Sequence, residues 1–365
     1  MLPGVISSAA RAVARWISPF LAIAAVTGAD CSADPAEDAP DTAQEASEQD
    51  APEQEAPEQE AEARELPDVA ARLANGENPL VGQPLYVNPT SAASRAANSA
   101  NPPSPELSAI ANTPQAFWID EAVPGWVVNG YLDGARAAGE LPVLAIYAIP
   151  HRDCGSFAAG GFATGADYRG WIDGVAGSIG SSPVVIVLEP DALDMADCLS
   201  PDQRQERFDL IRYAVDTLTR NPAAAVYIDG GNSRWKSAEE IASRLNQVGI
   251  EHARGFSLNT SNFFTTEEEI GYGEEVSALT NGSHYVIDTG RNGAGPAPES
   301  PLSWCNPGGR ALGAAPTTET AGEHADAYLW VKRPGESDGA CNSGNPRAGV
   351  FVNQYAIELA HNAGQ

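Results

Sequence analysis

Beyond residue 78 the chain carries short, unbroken apolar runs at residues 143–149, 184–188, 223–228 and 327–331, each bounded by Pro, Gly or Asp. A strand wet on one side alternates apolar with polar residues, so a continuous run fits a strand buried on both faces. Between the runs the period changes. Ser200-Pro201-Asp202-Gln203 supplies an N-cap, a proline at the first helical position and a capping-box glutamine. Phe208, Ile211, Val215 and Leu218 then recur on one helical face. Ser237 and Glu240 form a second capping box ahead of Ile241, Leu245 and Val248. Strand alternating with helix predicts an α/β fold: a parallel sheet covered by helices, doubly wound or closed into a barrel.

Acidic residues follow the runs. The first leads into His151-Arg152-Asp153, the second into Glu189-Pro190-Asp191, the third into Asp229, and the fourth into Lys332-Arg333-Pro334-Gly335-Glu336-Ser337-Asp338. A single Asp after a strand is usually a turn or a helix cap. Four of them at the C-terminal strand ends of a β/α fold converge on one mouth. Like charges gathered there raise the pKa of at least one member, which makes a neutral acid available near pH 7. Trp118, Trp235, Trp304, Trp330 and Tyr147 lie beside these acids. Flat rings stack on the apolar faces of sugars while carboxylates bind hydroxyls. Trp330, set inside an apolar run, divides between that role and the core.

The N-terminal fifth of the chain has a different texture. Arg11 and Arg15 precede an apolar stretch at residues 17–29 that is short for a membrane span, so residues 1–33 read as an export signal. Cys31, just past that stretch, leaves a lipid-anchored cysteine as the alternative, with no membrane span in the mature chain. Residues 34–77 read as an acidic Ala/Pro/Glu-rich spacer; residues 34–68 hold 14 Asp/Glu against one Arg, and Ala-Pro-Glu-Gln-Glu occurs twice from Ala51. Such a segment has little apolar surface to bury and its charges repel. Residues 78–365 form the third segment, the catalytic domain. The net charge of −28 argues against nucleic acid and anionic membrane surfaces as partners.

Cys154, Cys198, Cys305 and Cys341 are an even set in an exported chain and read as two disulfides, with three pairings open. No C-x-x-C or H-E-x-x-H occurs, so a metal site has little support. No G-x-S-x-G elbow, Walker motif or dinucleotide glycine pattern is present, which weakens esterase, ATPase and dehydrogenase readings.

Six ordered runs resemble the glycoside hydrolase family 6 cellulases: Tyr147-Ala-Ile-Pro-His-Arg-Asp153-Cys154, Leu188-Glu-Pro-Asp191-Ala-Leu, Tyr227-Ile-Asp229-Gly-Gly-Asn-Ser-Arg-Trp235, Ile287-Asp-Thr-Gly-Arg291-Asn-Gly, Trp304-Cys305-Asn-Pro-Gly-Gly-Arg310 and Trp330-Val-Lys332-Arg-Pro-Gly-Glu336-Ser-Asp338-Gly. The resemblance implies a distorted, seven-stranded parallel β/α barrel with an open cleft for β-1,4-glucan at the C-terminal strand ends. It implies Asp191 as general acid, Asp153 as the group that raises its pKa and relays a proton, Asp229 as a support of the charge balance, and Asp338 as candidate base. The implied sugar contacts are Tyr147, Trp118, Trp235, Asn259, Asn262, Arg291, Trp304, Lys332 and Glu336. The implied disulfides are Cys154–Cys198 and Cys305–Cys341. One departure concerns the loop Ser156-Phe157-Ala158-Ala159-Gly160-Gly161, where the family commonly carries a serine that holds the attacking water and this chain has no hydroxyl at 158 or 159.

The reaction so implied is inverting hydrolysis of internal β-1,4-glucosidic bonds by a secreted monomer. It needs an acid on one side of the glycosidic oxygen and a base-activated water on the other sugar face, with no metal or organic cofactor. Three other readings fit the same residues: an exo-acting cellobiohydrolase, a hydrolase of another β-glucan, and a non-catalytic glucan-binding protein.

Overall fold

The computed structural model describes residues 68–342 and 344–364, all within one compact unit. The expected export signal, Cys31 and the spacer up to residue 67 lie outside the described residues. Nine α-helices are present among those described: α1 (Val69–Ala74), α2 (Ala92–Ser99), α3 (Pro105–Ala111), α4 (Gly125–Ala138), α5 (Gly165–Ile179), α6 (Pro201–Leu218), α7 (Ala238–Gln247), α8 (Thr266–Leu279) and α9 (Asn353–Asn362). Seven strands, β1 (Phe117–Ile119), β2 (Val143–Ile146), β3 (Val184–Leu188), β4 (Ala224–Asp229), β5 (Gly255–Leu258), β6 (His284–Asp288) and β7 (Ala325–Leu329), lie side by side in chain order. Every neighbouring pair is parallel.

The two ends of this series approach each other. The Ala116 N–H donates to the Trp330 carbonyl at 2.9 Å, and the Trp118 indole N–H to the Val331 carbonyl at 2.7 Å. The sheet therefore curls into the expected distorted barrel, with β1 and β7 joined by isolated bonds instead of a ladder. Alternation along the strands separates two apolar layers. Val143, Ala145, Val185, Val187, Ala225, Tyr227, Val286 and Leu329 fill the inside. Leu144, Ile146, Ile186, Leu188, Val226 and Ile228 point outward onto the surrounding helices. Burial on both faces is what the unbroken runs encode.

α6 starts as its sequence signals require. The Ser200 side chain accepts the Gln203 N–H and the Gln203 side chain accepts the Ser200 N–H. Phe208, Ile211, Val215 and Leu218 are all buried. At α7 the Ser237 cap forms, but Glu240 turns to Arg244 and Lys236 instead of closing the box. Two opposite charges within reach are a stronger draw for a carboxylate than one backbone N–H.

The folded chain begins before residue 78, which corrects the spacer boundary. Asp68 caps α1 through the N–H groups of Ala70 and Ala71, Val69 and Leu80 enter the inner apolar cluster, and the Arg254 guanidinium holds the Gly76 carbonyl at 3.1 Å. Composition conceals this, because Val69, Ala70, Leu73 and Leu80 supply the apolar surface from among polar neighbours. Trp330 is a core residue: it packs with α2, α3 and α9, and its indole N–H meets the Ala314 carbonyl at 2.9 Å.

Candidate active site

The loops after β2, β3 and β5 share a backbone peculiarity. His151, Asp153, Cys154, Glu189, Asp191, Asn259 and Ser261 all hold positive φ, between 49° and 67°. Each such non-glycine residue costs on the order of 1–3 kcal/mol, and the cost is tolerated where geometry matters for function. Two disulfides brace these ends. Cys154–Cys198 ties the loop after β2 to the loop after β3, and Cys305–Cys341 ties the β6–β7 connection to the segment after β7.

Asp191 and Asp229 form the centre. Asp229 Oδ1 accepts the N–H groups of Asp191 (3.0 Å) and Gly231 (3.1 Å), and Oδ2 accepts the Ser257 hydroxyl (2.9 Å). These donors favour the anion on Asp229, although burial raises its pKa. Asp191 stands well above the usual carboxylate range, through burial first and then the charges of Asp229, Asp194 and Asp153, with Lys332 opposing. The proton of the pair therefore resides on Asp191.

Asp153 also titrates high because it is buried, with the Ala158 N–H at 2.7 Å and the Arg152 charge pulling it down. Asp338 behaves in the opposite way. Burial pushes it up, but Arg291 at 2.9 Å, Lys332 at 3.2 Å and the Asn306 N–H outweigh burial and hold it below the usual range. Asp338 is thus an anion in any working buffer.

A cleft of about 780 Å³ opens over these groups. Of the sequence-selected residues, Asp153, Asp191, Asp338, Tyr147, Trp118, Trp235, Asn262, Trp304, Lys332 and Glu336 line it. The Trp118 and Tyr147 rings meet edge to face at 5.3 Å, with the Lys332 ammonium 5.9 Å from the Trp118 ring and the Arg152 guanidinium 4.7 Å from the Tyr147 ring. Trp235 and Phe157 are more than a third exposed.

Asp229, Asn259 and Arg291 do not reach the cleft, which corrects the last two as sugar contacts. Asn259 is fully buried and closes its own loop, donating to the carbonyls of Phe264 and Asp288, both at 3.0 Å. Arg291 is 1% exposed, pairs with Asp338 and the Ser261 carbonyl, and lies over the Phe263 ring. A long cationic side chain followed by a helix-free loop gives no sequence sign of whether it faces sugar or a carboxylate.

Three acids that the sequence reading did not place at the site also organise it. Glu189 accepts the N–H groups of Ala148 and Ile149 across the β2–β3 ends, and burial pushes it up to about 7. Asp288 accepts four backbone N–H groups, from Ser261, Gly290, Val331 and Lys332. Asp194 packs against Gly231, whose N–H holds Asp229 Oδ1. The available signal was the one already used elsewhere, an acid at or just past a strand end: Glu189 follows β3 directly and Asp288 ends β6.

A carboxylate acid–base centre in an aromatic-lined cleft, at the C-terminal ends of a parallel β/α barrel, defines the class as a carbohydrate-handling barrel. Comparison with known proteins is specific. The family model for glycosyl hydrolases family 6 matches residues 80–363, and the chain belongs to that family. It is 46% identical over 285 residues to endoglucanase A of Cellulomonas fimi, covering 76% of this chain and 61% of that protein. It is 39% identical to endoglucanase 1 of Streptomyces halstedii, over 76% of this chain and 88% of that protein. The solved endoglucanase Cel6 of Mycobacterium tuberculosis, in complex with methyl-cellobiosyl-4-deoxy-4-thio-β-D-cellobioside, is 71% identical with a TM-score of 0.78, covering 79% of this chain and 100% of that one. The chain spans about six tenths of the length of the Cellulomonas fimi and Thermobispora bispora endoglucanases.

Proposed function

We propose that the protein is an exported endo-β-1,4-glucanase that hydrolyses internal bonds of cellulose or a related β-glucan with inversion, Asp191 serving as general acid. The observation that carries this reading is the division of donors in the acid pair. Three donors address Asp229, while burial and neighbouring charges keep the proton on Asp191, at the floor of a cleft that aromatic rings suit to sugar. A protonated carboxyl next to the glycosidic oxygen lowers the cost of expelling it. The surrounding carboxylates favour the positive charge that develops on the sugar.

Water attacks from the opposite face. Asp338 is the candidate base. Its ion pairs with Arg291 and Lys332 keep it ionised and make it a weak proton acceptor, so Asp153, whose pKa is raised, serves as the relay. The N-terminal signal pattern and two disulfides support export, since such bonds persist in oxidising compartments. The names of the similar endoglucanases support β-1,4-glucan over other polymers.

The test is product analysis on a soluble cellulose derivative, with mixed-linkage glucan and xyloglucan alongside. Release of reducing sugar whose fresh ends are α-anomers is expected. Early β-anomers contradict inversion, and binding without release replaces the enzyme with a glucan-binding protein.

A further inference from the structure

Three residues past the acid, in the short 3-10 helix Asp194–Cys198, the Asp194 side chain is 2% exposed, and neither of its carboxylate oxygens meets a donor. The cations nearby are engaged elsewhere. Arg244 binds both oxygens of Asp197 at 2.8 Å, as well as Glu240 and the main-chain carbonyls of Leu193 and Asp194. Lys236 holds Asp197 at 2.6 Å and Glu240 at 3.6 Å. The Asp194 carboxylate lies instead against Gly231, where a Cβ would collide with it. Gly231, at φ 67°, donates its N–H to Asp229 Oδ1, the same oxygen that takes the Asp191 N–H. A buried, unpaired carboxyl thus packs on the very turn that holds the acid's partner. A buried polar group without a partner costs stability, so a protein that keeps one gains something other than stability from it.

We propose that Asp194 is a positioning residue for the proton on Asp191: packed without a partner on the Gly231 turn that holds Asp229 Oδ1, it places a further carboxyl beside the Asp191–Asp229 pair, and that carboxyl, once charged, holds the proton on the acid. This rests on the reading of Asp191 as general acid. The groups facing Asp194 are Asp191 and Asp229 from the ends of β3 and β4, Lys236 from the loop after β4, Glu240 and Arg244 from α7, and Tyr272 from α8. Burial, then the Asp229 charge, push Asp194 up to about 8, with Arg244 and Lys236 opposing and Glu240 adding. Asp191 also stands well above the usual carboxylate range, and Asp194 is one of the charges that raise it. Below about pH 8 Asp194 is therefore neutral. Above it, the new anion disfavours ionisation of Asp191 and extends activity to more alkaline solution.

The test compares the wild-type enzyme with Asp194→Asn on soluble β-glucan from pH 5.5 to 9, together with ¹³C NMR titration of the aspartate carboxyls. The ratio of variant to wild-type kcat/KM is expected to fall about tenfold across that range, as the alkaline limb moves down by roughly one unit and the Asp191 carboxyl signal titrates correspondingly lower. A ratio constant with pH, as a packing role gives, or an Asp191 titration that does not move, overturns the proposal. A shifted Asp191 titration with an unmoved alkaline limb upholds the link between the two residues and removes Asp191 as the acid. Asp194→Ala, which deletes the carboxyl without placing an amide in the pocket, gives the same readings where Asp194→Asn does not fold.

Discussion

The ring of Phe157, in the loop after β2, lies 6.0 Å from the ring of Trp304, in the connection between β6 and β7, and both line the cleft. Each residue is close to one cysteine of a different disulfide, Cys154 and Cys305, so the pair joins two braced loops. Gly339 contributes to the same meeting: at φ 146° it leaves room for the Phe157 side chain, into which a Cβ would press. A single aromatic contact, and only 14 positions from Arg291 to Cys305, leave little chain for a long roof.

Internal cleavage follows from that reading. On a soluble cellulose derivative, viscosity is expected to fall quickly while few reducing ends appear, with oligomers of mixed length accumulating early. Cellobiose as nearly the sole early product, with viscosity barely changed, contradicts internal cleavage. Phe157→Ala is expected to leave this endo pattern in place.

The buried acids set the pH dependence of stability. Glu189 and Glu269 are pushed up to about 7 and Asp194 to about 8, each chiefly by burial. A carboxyl with a raised folded-state pKa binds more protons folded than unfolded. Its favourable contribution is complete below the unfolded value, near 4, and is lost as pH rises through the folded value. Tm is therefore expected to fall between pH 5 and 8.5, and Glu269→Gln is expected to flatten that decline. A Tm that rises over this interval contradicts the assignment.

Removing Asp338 tests the base and the buried ion pair separately. Asp338→Ala leaves the Arg291 guanidinium buried without its carboxylate, a loss on the order of 3–5 kcal/mol for a broken buried pair. Calorimetry is expected to show a lowered Tm, and hydrolysis is expected to be impaired. Added azide restores turnover and yields an α-configured glycosyl azide if the missing group was the base. Lost activity that azide rescues in Asp153→Ala but not in Asp338→Ala moves the base role to Asp153.

The parts of the fold legible in sequence are those where one physical factor dominates. β3 and β4 are nearly pure Val, Ile, Leu and Ala, and the helix that begins at Pro201 carries its own cap. β1, β5 and β6 escaped because they are short or carry Gly255, Ser257, His284 and Asp288. Those polar residues are there for the site: the Ser257 hydroxyl serves Asp229, and Asp288 gathers the backbone of two strand ends. At the site, Asp153, Asp191, Asp229 and Asp338 were legible as acids after strands. Whether an acid faces sugar or backbone was not, because that depends on which donors the neighbouring loops bring. Arg291 and Asn259 are the clearest cases, since each is committed to a partner far away in the chain or to its own loop.

The central claim is that Asp191 donates the proton to the departing sugar, and a comparison of leaving groups tests it most directly. Asp191→Asn should lose at least ~10²-fold in kcat on unactivated cello-oligosaccharide, the usual scale for a positioned proton donor. On a dinitrophenyl cellobioside, whose leaving group departs without protonation, the same variant should lose far less. Near-wild-type turnover of Asp191→Asn on the unactivated substrate, or an equal loss on both, would contradict the assignment.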